Sequence, residues 1–183
     1  MAGKTFGSST RFSIEVGAFR GDADHSRRVD VMAADRWLTC EDNHAYVPHI
    51  AGRLEQAVAS LLSDPRAPNI GRPYPEFSPA DNHRRLLLGL NSDDDRAWRE
   101  HATYWFMDWG PIADNVHIHL FRENGTAFLP FSLFREDHHD PSELGQVFVA
   151  ELPEWELASV LHDAAWAIMW DWADRSKWPK RPC

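Results

Sequence analysis

Cysteine is nearly absent from this chain of 183 residues: there are two, Cys40 and Cys183. Two thiols so far apart, one of them the last residue, make no disulfide framework, and Cys183 does not match a prenylation box, which needs Cys fourth from the end. No stretch approaches the ~20 uncharged apolar residues of a membrane span, and Met1–Thr10 lacks the apolar run of a secretory signal. These features point to a reducing cytoplasm. Positive charge is in deficit as well. The formal net charge of −9 removes the Lys/Arg surface on which nucleic-acid binding depends, and the local clusters Arg84-Arg85 and Lys177–Arg181 do not restore it. There is no Gly-rich phosphate loop, nucleophile elbow, helical H-E-x-x-H, C-x-x-C or internal repeat.

What is abundant is aromatic side chains, nine Trp and ten Phe, which make either a large aromatic core or an aromatic surface that meets something. Apolar residues make up 43% and charged residues 26%, a globular composition in a length suited to one domain over 1–183, with 1–10 and 178–183 expected as flexible tails.

Two hydropathy periods organise the chain. Phe12, Ile14 and Val16 alternate with Ser13 and Glu15, and Val29, Val31 and Ala33 repeat the pattern, so both segments predict half-buried strands. Gly21–Arg28 reads as the loop between them. Ala34-Asp35-Arg36 predicts a turn and Trp37–Thr39 a return strand. Ile50, Leu54, Val58, Leu61 and Leu62 recur at helical spacing within Val47–Leu62, with Asp42 and Asn43 as capping groups ahead of it. Ser78-Pro79-Ala80-Asp81 opens a second helix that runs to about Leu90. Ala97–His101 predicts a short helix and Thr103–Asp108 a strand. Val116, Ile118 and Leu120 alternate with His117 and His119, then Asn124-Gly125 signals a hairpin into the strand Thr126–Phe134, where Pro130 predicts an edge position or a bulge. Gln146–Leu152 is a last strand, and Glu154–Arg175 a long helix. The expected fold is α+β: a mostly antiparallel sheet of about six or seven strands with two or three helices packed on one face.

The last helix carries two stripes. Leu157, Val160, Leu161, Ala164, Ile168 and Trp172 form one, and Trp155, Trp166 and Trp170 form the other. A helix this apolar around its circumference is buried deeply or covered by a partner, and Trp is enriched at the energetic centres of interfaces. Trp155, Trp166 and Trp170, with the acidic residues Asp93, Asp94 and Asp95, are therefore the candidate partner-binding residues, for another protein with a basic surface or for a second copy in a homodimer.

A second reading rests on histidine. His117 and His119 share one face of a strand, and His138 and His139 lie beyond the hairpin between Asp137 and Asp140. Those four make a candidate zinc or iron shell for a small metal-dependent enzyme, with Trp105 and Trp109 lining its pocket. The binding reading needs no cofactor. Cys40 and His44 do not read as a nucleophile and base, because Glu41 and Asp42 oppose a thiolate.

The opening Arg11-Phe12-Ser13-Ile14-Glu15-Val16, followed by a strand ending in Ala-Asp-Arg-Trp-Leu (34–38), resembles the start of some small α+β immunity proteins, which bacteria pair with polymorphic toxins. The resemblance covers roughly the first fifth of the chain. It implies an acidic, cytoplasmic, non-enzymatic protein that neutralises a cognate toxin; the rest is similar to uncharacterised proteins of high-GC soil bacteria.

Overall fold

A computed structural model describes residues 3–21, 25–39, 43–63, 71–90, 94–135, 138 and 140–175. The α+β class and the antiparallel pairing are as the patterning implies. The strands number nine among the described residues and divide into two sheets.

The first sheet is built from β1 (Lys4–Ser8), β2 (Phe12–Phe19), β3 (Ser26–Ala33), β4 (Arg36–Trp37) and β5 (His44–Tyr46), in the order β1-β2-β3-β4 with β5 also on β3. Phe12, Ile14, Val16, Val29, Val31 and Ala33 form its buried face. Ala34 and Asp35 both take positive φ, 49° and 57°, the geometry of a tight hairpin turn. Two expectations are corrected here. Lys4–Ser8 is no tail: it pairs with β2 from Lys4↔Val16 to Ser8↔Phe12. Gly7 takes φ +83°, and a Cβ there would meet Val160 Cγ2 at 2.8 Å, so glycine lets this strand lie against the last helix. Asn43 is not a helix cap: it is buried and donates to the Asp30 carboxylate, while α1 (Val47–Leu62) starts at Tyr46 with no side-chain cap.

The second sheet comprises β6 (Val116–Ile118), β7 (Phe121–Glu123), β8 (Thr126–Leu133) and β9 (Val147–Pro153). β8 pairs with β9 along its length and with β6 and β7 in one continuous register, Ile118↔Phe131 and Phe121↔Phe128. A strand has two edges, so β6 and β7 lie end to end along the edge opposite β9. Pro130 thus occupies a central strand, not an edge. The ring is tolerated because it lies opposite the interruption between β6 and β7, where its carbonyl accepts from the His119 N–H at 3.0 Å. Trp105 bridges to His119, and Phe106 donates to the Ile118 carbonyl at 3.0 Å, so the strand expected over Thr103–Asp108 is a short pairing on the outer edge.

α1 and α4 (Glu154–Arg175) pack against each other, and α4 also meets β1, β2, β8 and β9. Leu54, Ile50, Leu157, Leu161 and Ile168 from these helices join Ile14, Val31, Ile118, Leu129 and Phe131 in one core that both sheets share. Arg122, 5% exposed, ties the pair together: its guanidinium donates to the last carbonyls of α1, Ser60 and Leu61 (3.1 and 2.7 Å), and to Glu154 Oε2 at 2.8 Å. The opposite face of the second sheet is covered by α2 (Pro79–Leu90), and α3 (Asp95–Tyr104) packs on α2 and reaches the sheet through His101. The one-sided expectation gives way here because β8 is buried along almost its whole length, the pattern of a strand covered on both faces. At the start of α2, Ser78 Oγ accepts from the Asp81 N–H at 3.1 Å and donates to the Asp81 carboxylate at 2.6 Å, closing the expected cap.

Candidate functional site

α4 divides its circumference between two tasks. Leu157, Leu161, Ala164 and Ile168 are fully buried, with Val160 and Ala165 beside them. The other face carries Trp155, Trp166 and Trp170, which are 72%, 59% and 62% exposed, together with exposed Ser159, His162 and Asp163. The Trp166 and Trp170 rings stack at 5.5 Å with 27° between their planes. Trp155 and Trp170 are 15 positions apart, so the aromatic stripe runs about 22 Å along the helix. Trp172 belongs to the other group: it packs on the core and donates its indole N–H to His25 Nδ1 at 3.0 Å. Indole is the largest apolar side chain, and three on a single face are costly to leave in water. The inward stripe and the Arg122–Glu154 pair anchor the helix that carries this face to the core.

The acidic candidates have local work as well. Asp94 caps α3, accepting from the Arg96 N–H at 2.8 Å, and Asp95 sits in the first turn. Asp93 lies outside the described residues.

The histidine candidates separate into two places. His119 is fully buried, and its Nδ1 lies 2.8 Å from His83 Nδ1 while its Nε2 lies 2.9 Å from His101 Nδ1. His83, on α2, reaches Ser132 Oγ of β8 at 3.1 Å. His101, on α3, has its Nε2 buried with no partner. Hydrogen-bond accounting assigns the proton order. With His101 Nδ1–H donating to His119, His119 Nδ1–H to His83, and His83 Nε2–H to Ser132, only a lone pair is left unpaired at His101 Nε2. The reverse order strands an N–H there, which is the costlier orphan. Burial, reinforced by the neighbouring imidazoles, pushes His83, His101 and His119 down to about 3, 4 and 2, so all three rings are neutral at pH 7. His117 is half-buried, stacks on Phe134 at 4.3 Å, and is lowered by burial. His138 lies elsewhere, between Asn115 Nδ2 at 3.0 Å and Glu143 Oε2 at 2.9 Å. His139 lies outside the described residues.

His119 turns its two nitrogens to different neighbours, so these rings do not converge on one point. Among the described residues no group of three or more His, Cys, Asp or Glu has an arrangement that could hold a metal ion. Sequence patterning missed His83 and His101, which sit on two helices far from the hairpin. The one available signal is that His83 lies three residues before Leu86, on the inward face of α2.

Trp105 and Trp109 both line a cleft of about 220 Å³ between α1 and the 103–109 segment. Its lining includes the Arg53–Asp108 ion pair and Met107, whose φ of 65° is unusual for a residue with a side chain.

No described helix is long and apolar enough to cross a membrane. No family model matches the sequence, and no characterised protein matches it. Among solved structures the chain is similar to CdiI from Burkholderia dolosa AUO158, with a TM-score of 0.62 and 14% identity over 87% of this chain and 97% of that one. At that identity the likeness is one of fold, and it spans nearly the whole of both chains.

Proposed function

We propose that this chain is an immunity-type binding protein that neutralises a cognate toxin by covering it with the tryptophan face of α4. The observation that carries the reading is that exposed stripe, Trp155, Trp166 and Trp170, on a helix whose other face is locked into the core. The fold supports it, since CdiI, one of the solved structures to which the chain is similar, is an immunity protein of a contact-dependent inhibition toxin system. So does the resemblance of the first strands to immunity proteins. The toxin's matching surface is basic, complementing a net charge of −9; the two meet in the cytoplasm, and the long-range attraction that speeds their encounter is strongest when salt is lowered.

The test pairs the chain with the toxin-like protein encoded beside it. The expected result is a stoichiometric complex that protects a cell producing that toxin. In that complex, Trp166→Ala or Trp170→Ala raises Kd by about 30-fold, the 2 kcal/mol typical of an interface hot spot. A complex that forms equally well when Trp155, Trp166 and Trp170 are all replaced by Ala refutes the assignment of this face.

A further inference from the structure

The carboxylates of α4 are not used alike. Glu154 is held by Arg122, Glu156 by Arg11 at 2.9 Å, and Asp171 by Arg27 at 2.8 Å. Asp163 is exposed and has no ion pair among the described residues. Helical spacing sets it one turn from Trp166 and two turns from Trp170, on the same flank as exposed Ser159. Among the described residues of α4, Glu156 lies two turns before Asp163 and is already paired with Arg11, His162 is exposed beside Asp163, and no Lys or Arg interrupts the helix before Arg175. The stacked Trp166–Trp170 pair therefore presents indole surface beside an uncompensated negative charge.

We infer that Asp163, Trp166 and Trp170 form a clamp for the guanidinium of an arginine that the protein partner presents; this rests on the binding reading above and specifies its chemistry. A planar guanidinium stacks on an indole face, is attracted by the ring's negative potential, and donates in-plane N–H bonds to a carboxylate. An ammonium satisfies only part of that geometry, and an uncharged aliphatic chain leaves Asp163 desolvated without a counter-charge. The clamp selects arginine over isosteric neutral side chains, and complements a basic partner.

The experiment is an NMR titration of the indole N–H signals with a tetra-arginine peptide, and with a tetra-citrulline peptide as the neutral isostere. The expected result is movement of the Trp166 and Trp170 signals with the arginine peptide and none with citrulline. Asp163→Asn weakens the arginine peptide about two- to fivefold, and Trp166→Leu at least as much. Equal response to citrulline, unmoved Trp166 and Trp170 signals, or unchanged affinity in Asp163→Asn overturns the clamp. The same signals shifting with protein concentration alone would mark a second copy as the occupant and overturn it too. A chain that binds the peptide this way but protects no cell loses the proposed function and keeps the clamp. One that protects while its indoles ignore the peptide loses only the clamp.

Discussion

Acid should unfold this protein through three histidines before its carboxylates matter. His83, His101 and His119 are buried, and burial lowers each to about 4 or below, whereas the unfolded chain titrates near 6.5. The unfolded state therefore binds more protons than the folded state below pH 6.5, and stability falls as pH falls. Over pH 7 to 5 the loss is governed by the unfolded value, because the folded rings stay neutral throughout. Each histidine costs about 2 kcal/mol across that window, and the three together about 6 kcal/mol, a large part of a typical 5–15 kcal/mol. The perturbation is His101→Phe, which keeps a ring beside Trp105 and removes one titrating group. Urea unfolding followed by circular dichroism at pH 7 and pH 5 should show a pH-dependent loss smaller by about 2 kcal/mol in the variant. Carboxylates contribute equally to both proteins and cancel in the difference. An identical loss in His101→Phe and the parent chain refutes the assignment of neutral buried rings.

Two further perturbations probe what holds α4 in place. Leu161→Ala removes a fully buried side chain between the sheets and should cost about 2–5 kcal/mol in urea unfolding. Arg122→Met keeps the volume of the stem but leaves Glu154 and the end of α1 without their partner. It should cost about 3–5 kcal/mol by calorimetry, and a near-neutral result would show that water replaces the guanidinium there.

The longer elements were legible because one period runs through each without interruption. Val47–Leu62 and Glu154–Arg175 carry helical apolar stripes whose bounds the structure reproduces, and β2 and β3 alternate cleanly. β1 was not legible: Lys4–Ser8 carries one large apolar residue, Phe6, and takes its place by pairing with β2. The division into two sheets was hidden because strand order is a long-range property, set by which faces meet across the α1–α4 pair. The tryptophan stripe could be read as a stripe, and its exposure became visible only once the opposite stripe had a sheet to face. His117 and His119 were legible as a pair on one face. Their setting was not, because His83 and His101 arrive from helices 36 and 18 residues before His119, and nothing local marks such a convergence.

The two-sided use of α4 separates what must be kept from what can change. Substitutions at Trp155, Ser159, Asp163, Trp166 and Trp170 leave the inward residues untouched, and surface changes of this kind cost little stability. If the outward stripe is the recognition face proposed above, it can change one exposed position at a time while the inward packing stays the same. Paired proteins under pressure to recognise their own partner and ignore a neighbour's would diverge first along this outward stripe.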